Sequence, residues 1–199
     1  MESIRDLLVD EMKDLYDAEK QLVKAIPKVA KASFNPDLRA GFEKHLNETR
    51  GHVERLERAF ELMGEKAKSK PCAAMKGLIE EGDEAHEKSE GLLTDSAIIC
   101  AAQKIEHYEI AGYGTLSAWA KALGLNDVAE LLDETLEEEK AADKKLSEVA
   151  DGITSEAMSA DAGGEETEED TVSAGRGNTP KKKATGKASH EHNSRSRAV

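Results

Sequence analysis

An all-α antiparallel four-helix bundle is the fold this sequence predicts, and three observations carry that reading. Apolar residues recur in steps of three and four along four long stretches. Capping residues and glycines bound those stretches. Aromatic residues make up only 4% of the chain and charged residues 35%, a balance that suits exposed amphipathic helices better than a sheet.

Ser3, with Asp6 three residues on, opens a first helix that the apolar period carries to about Ser33. Asn35-Pro36 is a cap followed by proline at the first helical position, and it starts a second helix ending near Gly64. Residues 65–72 read as a connector. A short helix over about Ala73–Ser89 then has to cross the bundle, because two antiparallel hairpins need a link. The third long helix spans about Asp95–Leu123 and stops at Gly124. Asn126 caps the fourth, which runs to about Ala150. After Gly152 the apolar period is lost among Ser, Thr, Gly, Ala, an acidic block and Pro180-Lys181-Lys182-Lys183. Such a composition cannot bury enough surface to offset its ordering entropy. The expected division is therefore a bundle over 3–151 and a disordered low-complexity tail over 152–199.

The apolar stripes are interrupted in a consistent way. The first reads Leu8, Met12, Leu15, Glu19, Leu22, Ile26, and the second Phe42, His45, Thr49, His52, Leu56, Ala59. The third carries Glu106, Glu109 and Tyr113 between Ala102 and Leu116, and the fourth places Glu139 between Leu132 and Leu146. Buried carboxylates lose hydration and repel one another, so they need protons, hydrogen bonds or a cation. A hard divalent ion satisfies several of them at once. A proton-sharing or arginine-satisfied pair is the alternative for Glu106 and Glu109, and a hydrogen-bonded core imidazole is the alternative for His52.

Spacing supports convergence. Glu19 and His52 are 33 positions apart, as are Glu106 and Glu139, and the two pairs are offset by 87. Two hairpins of equal dimensions would bring the four residues to one level, as in ferritin-like carboxylate sites. Asp143 lies one turn beyond Glu139 and could complete a chelate. His45 and Glu48 are candidates either as ligands or as partners that orient an imidazole. Glu137, Glu138 and Lys144 read as solvated surface, His107 points away from Glu106, and Tyr113 reads as packing. Gly112 and Gly114 each weaken a helix by about 1 kcal/mol relative to Ala, which suggests the close approach of a neighbouring helix.

Bulk properties narrow the function classes. The net charge is −13, and residues 1–151 hold all but one unit of it. That disfavours nucleic-acid binding by the bundle and favours cations. Cys72 and Cys100 form no zinc motif or disulfide framework. No apolar run is long enough to span a bilayer, so a cytoplasmic location without membrane association is expected.

Four segments resemble, in order, the YciF-type (YciE/YciF) ferritin-like proteins of bacteria. They are Leu15–Leu22, His45–Thr49, Ile105–Leu116 and Glu134–Lys140. The resemblance spans about residues 3–150. More distantly, the third-helix pattern is similar to rubrerythrin, which puts Glu106, Glu109 and Glu139 on iron-ligand positions and Asp143 on a ligand-histidine position. These likenesses imply a two-metal site, a homodimer or homo-oligomer, and a role in stress. There are two departures. The fourth helix has no His, and the second has Glu48-x-x-x-His52 where Glu-x-x-His is usual.

The combined expectation is a site for two iron ions, with manganese suited to the oxygen-rich ligands. Its candidate ligands are Glu19, His45, Glu48, His52, Glu106, Glu109, Glu139 and Asp143. The chemistry to match is di-iron ferroxidase or peroxidase activity, oxidising Fe(II) with peroxide or oxygen, though the residues leave open whether the protein is an enzyme. The alternative is a non-catalytic stress protein acting through oligomerisation or partner binding.

Overall fold

The computed structural model describes residues 1–165. Among them are five helices and no strand: α1 (Ile4–Ala32), α2 (Pro36–Leu62), α3 (Ala73–Glu87), α4 (Leu92–Ala122) and α5 (Asn126–Glu165). None is long and apolar enough to cross a membrane.

The capping chemistry sets the boundaries. Ser3 Oγ accepts from Asp6 N at 3.1 Å, and Asn35 Oδ1 accepts from Asp37 N and Leu38 N at 2.9 and 3.0 Å. These bonds satisfy N–H groups that have no partner within the helix. α2 and α4 end on Gly64 and Gly124, at φ of +71° and +73°, where a side chain would be strained. Past each glycine an amide returns to the last turn, Glu65 N to Phe60 O and Leu125 N to Ala120 O, both at 2.9 Å.

Two apolar clusters show how the helices run. One joins the start of α1 (Leu8, Met12) to the end of α2 (Leu56, Phe60), the end of α4 (Leu116, Ala120) and the start of α5 (Val128, Leu132). The other joins the end of α1 (Leu22, Ile26) to the start of α2 (Leu38, Phe42), the start of α4 (Ile98, Ile99) and the far part of α5 (Leu146, Ile153). Each long helix is therefore antiparallel to its neighbours. In cross-section α1 adjoins α2 and α4, and α5 adjoins the same two, so α1 faces α5 across the diagonal. α2 ends at one pole and α4 starts at the other, and α3 makes the crossing, packed mainly on α4.

Two boundaries differ from those read in the sequence. α4 begins at Leu92, because Gly91 at φ +57° makes the turn there. Asp95 therefore lies within the first turn, where it acts as a tether. Its oxygens accept from Phe34 N and Asn35 N, each at 2.8 Å, tying the α1–α2 turn to α4. α5 does not stop near Ala150 but continues through Gly152 to Glu165. Ile153 continues the stripe after Leu146 and is buried in the second cluster. Burying such a side chain is worth about 1.5–3 kcal/mol, which outweighs the roughly 1 kcal/mol cost of a helical glycine. The remainder of the expected tail, 166–199, lies outside the described residues.

The close approach expected at Gly112 is present. A Cβ there would sit 3.0 Å from Leu15 Cδ2, whereas one at Gly114 would meet only ordinary contact, 3.9 Å from Leu136 Cδ2.

Candidate metal centre

Between the two apolar clusters lies a polar layer to which all four long helices contribute. α1 supplies Glu19, α2 supplies His45, Thr49 and His52, α4 supplies Glu106 and Glu109, and α5 supplies Thr135 and Glu139, all buried. Each occupies a core position of its helix, so the 3.6-residue repeat that builds the core also aims these side chains inward.

The donors fall into two groups that share one residue. Atoms of Glu19, His52 and Glu139 lie within 4.8 Å of one another, and so do atoms of His45, Glu106 and Glu139. In the first group His52 Nδ1 is 2.9 Å from Glu139 Oε1 and 3.4 Å from Glu19 Oε1. In the second His45 Nε2 is 3.5 Å from Glu106 Oε1 and 3.8 Å from Glu139 Oε2. Glu139 thus turns one oxygen to each imidazole. Glu109 belongs to neither group, yet it is fully buried and coupled by charge to Glu139, Glu19 and Glu106.

Proximity here is not hydrogen bonding. One or both oxygens of Glu19, Glu106, Glu109 and Glu139, together with His52 Nδ1, are buried without a hydrogen-bond partner. Buried polar atoms are nearly always satisfied, and so many orphans aimed at one space mark a set of donors that lacks its acceptor. Carboxylate and imidazole atoms are what iron or manganese takes, so the residues present fit two such ions.

Titration behaviour follows from this crowding. Burial, reinforced by repulsion from Glu139, pushes Glu106 well above the usual carboxylate range, and burial with repulsion from Glu139, Glu19 and Glu106 does the same to Glu109. Burial also raises Glu19. Glu139 is lowered, since His52 more than reverses the effect of its burial. Burial pulls His52 down, but Glu139 and Glu19 lift it to about 11.

The surrounding shell fixes each imidazole. His52 Nε2 faces Glu138 Oε2 at 2.9 Å, and Arg55 grips both oxygens of Glu138 at 2.8 Å. With Glu138 held ionised by Arg55, Nε2 keeps its proton whether the ring is charged or neutral, so Nδ1, facing Glu19 and Glu139, is the nitrogen that gives up its proton when a cation takes its place. His45 uses the opposite nitrogens: Nε2 faces the cluster, and Nδ1 lies 3.6 Å from Glu48 Oε2. The Tyr113 hydroxyl donates to Glu19 Oε1.

Of the eight sequence candidates, six form or adjoin the cluster: Glu19, His45, His52, Glu106, Glu109 and Glu139. Glu48 stands behind His45, half-buried and paired with Lys44. Asp143 is in neither donor group, although its charge helps to raise Glu106. One helical turn past Glu139 it faces the outer side of α4, where it accepts from Gln103 at 3.2 Å and lies 3.5 Å from the exposed His107. Sequence reasoning gave Glu138 to the solvated face and Tyr113 to packing, and it missed Arg55. Glu138 lies next to Glu139 and off the apolar stripe, so periodicity assigns it to solvent. Arg55 on the flank of α2, three residues after His52, was the available signal.

A family model described as a domain of unknown function, DUF892, matches residues 3–159. The chain belongs to that family. Its DUF892 segment extends past Gly152, in keeping with the long α5. The chain is 48% identical over 152 residues to protein YciF of Escherichia coli (strain K12), covering 75% of this chain and 92% of that protein. The crystal structure of the E. coli stress protein YciF matches with a TM-score of 0.75 at 46% identity, over 78% of this chain and 99% of that one. YcfI from Rhodopseudomonas palustris matches with a TM-score of 0.72 at 44% identity, over 73% and 94%. The chain is thus a DUF892 homologue of YciF, as the four sequence segments suggested.

Proposed function

We propose that this protein is a ferritin-like stress protein whose polar layer holds two metal ions, iron by preference, with manganese as the alternative. Glu139 would be shared between the ions. Glu19 and His52 Nδ1 would hold one, and Glu106 and His45 Nε2 the other. Glu109 would supply a further carboxylate able to move between them. The single observation that carries this reading is the shared Glu139 amid buried oxygens that lack hydrogen-bond partners.

Two adjacent iron ions in a carboxylate-rich site supply the chemistry for oxidising Fe(II) with oxygen or peroxide. The chain's own residues supply the setting. Apolar clusters on both sides keep bulk water from the layer, and Glu138 with Arg55 holds the proton on the outer nitrogen of His52. Tyr113 steadies Glu19 from within the core. The likeness to a protein described as a stress protein supports a protective role. Self-association into a homodimer and a cytoplasmic location belong to the same proposal.

The test is oxidation of Fe(II) under peroxide and under oxygen, followed at the ferric absorption band. The expected result is faster oxidation with the parent protein than with Glu139→Ala, which serves as the site-dead control. Equal rates would favour the non-catalytic reading, in which the carboxyls share protons and the bundle acts through self-association or a partner.

A further inference from the structure

The polar layer is sealed on most sides. Glu19, His52, Glu109 and Glu139 are each 0% exposed, whereas Glu106 is 3% and His45 8% exposed. Any ion that reaches the layer must therefore pass these two residues. Two cavities end on them, and their chemistry differs.

One cavity, of about 50 Å³, lies beneath α3 between α1 and α4 and is walled by Leu22, Ile26, Ile79, Ile98 and Ile105. A hydrated cation loses water there without receiving a replacement ligand. The other, of about 100 Å³, lies between α2 and α5. Asp37 stands at its exposed rim, Glu48 is half-buried along its wall, and His45 with Glu106 forms its floor; its two lysines, Lys44 and Lys145, are each paired with a carboxylate, Glu48 and Glu148. His45 Nδ1 and Glu106 Oε2, both on that floor, are buried without a hydrogen-bond partner. Glu48 bridges the two levels, paired outward with the exposed Lys44 and lying 3.6 Å from His45 Nδ1.

From this arrangement we infer that the α2–α5 cleft is the entrance for divalent cations, with Glu48 as the carboxylate that receives the ion and passes it to His45 and Glu106. The inference rests on the two-metal reading above. An arriving cation replaces the Lys44 ammonium at Glu48, exchanging one positive partner for another, so Glu48 is never left uncompensated. The next ligand, Glu106, lies on the far side of the same imidazole. Carboxylates spaced from rim to floor let the ion exchange waters for oxygen ligands in stages, so no stage strands a bare charge. The cavity under α3 has Asp83 and His86 among its lining residues but only apolar walls between them and the floor.

The experiment follows the rate at which the full-length, metal-free protein takes up cobalt(II), read from its visible absorption in stopped flow, alongside the stoichiometry at equilibrium. Gly41 lines the cleft, and a Cβ added there meets nothing within 4 Å. Gly41→Leu therefore narrows the entrance without a clash at the backbone and with a gain in helix propensity. Expected is uptake slowed about tenfold or more with full stoichiometry at equilibrium. Glu48→Gln should slow uptake as well and weaken its dependence on ionic strength. Ala25→Leu, which narrows the cavity under α3 instead, should load at the parent rate. Parent-like uptake by both cleft variants, or slowing confined to Ala25→Leu, overturns the route while leaving the metal site intact. A parent protein that holds no cobalt at equilibrium overturns the two-metal reading, and the route with it.

Discussion

Glu138 shows how one residue outside the core can govern the centre. By holding the proton on His52 Nε2, it leaves Nδ1 as the donor toward Glu19 and Glu139. Partners of this kind, when removed, typically cost 10–100-fold in metal affinity. Glu138→Ala is expected to weaken binding at the Glu19–His52–Glu139 position by roughly that factor while the other position keeps its affinity. Site-resolved cobalt titration would check this, and equal weakening of both positions would speak against separate imidazole shells.

The same layer gives the metal-free protein a definite pH dependence. Glu106 and Glu109 have native pKa values raised by burial and repulsion, so the native state binds more protons than the unfolded chain. Stability then falls as pH rises from the ordinary carboxylate value toward the native one. His52 acts in the same direction. Its contribution is complete below the unfolded value of 6.5 and is lost as pH climbs toward about 11. Glu139 is lowered, so its contribution is lost only on acidification. With chelator present, the thermal midpoint should therefore drop as pH rises above about 6.5, where the His52 contribution begins to be lost. Glu106→Gln combined with Glu109→Gln should raise the midpoint at the alkaline end and flatten the slope. Metal affinity of the parent should move the other way, rising with pH as ligand protons are displaced.

At the scale of the helix, α5 carries the clearest test. Ile153 is 1% exposed and packs in the cluster formed by the ends of α1 and α5 and the starts of α2 and α4. Ile153→Ala should cost about 2–5 kcal/mol, the range for truncating a buried aliphatic side chain. Deleting residues 152–199 should lower the thermal midpoint, whereas a tail that began at Gly152 would leave it unchanged. Thermal melts of the two truncations, after 151 and after 165, separate these outcomes. Gly112 offers a second test on α4. A β-branched side chain there meets Leu15 at 3.0 Å, so Gly112→Val should destabilise the α1–α4 contact by about 1–3 kcal/mol.

These two places also show what the sequence made legible. The 3.6-residue period and the caps at Ser3 and Asn35 located α1 and α2 to within a residue or two, because capping is a local matter of side chain and adjacent N–H. The end of α5 was not local. A glycine followed by small polar residues reads as a stop, and the burial of Ile153 in the second cluster, to which the other helices contribute, is what carries the helix past it. The centre divides along the same line. Glu19, His45, His52, Glu106, Glu109 and Glu139 stand on apolar stripes and were visible for that reason. Glu138 and Arg55 stand beside the stripe, and their partnership exists only once α2 and α5 are side by side. Asp143 was placed by an i, i+4 relation to Glu139, but one further turn on α5 carries it to the outer face of α4.

At the scale of the whole molecule, two apolar clusters hold four helices around a layer that would be a liability if left uncompensated. Four buried carboxyls converge, and Glu139 stands at their centre with one oxygen toward each imidazole. Shared possession of Glu139 is the central claim, and a competition titration with cobalt(II), iron(II) or manganese(II) tests it directly in the parent and three variants. Two ions per chain are expected for the parent, one for His52→Ala, one for His45→Ala, and none held tightly by Glu139→Ala while its helical circular-dichroism signal stays intact. A folded Glu139→Ala that still binds two ions, or a parent that binds none near neutral pH, would contradict the account.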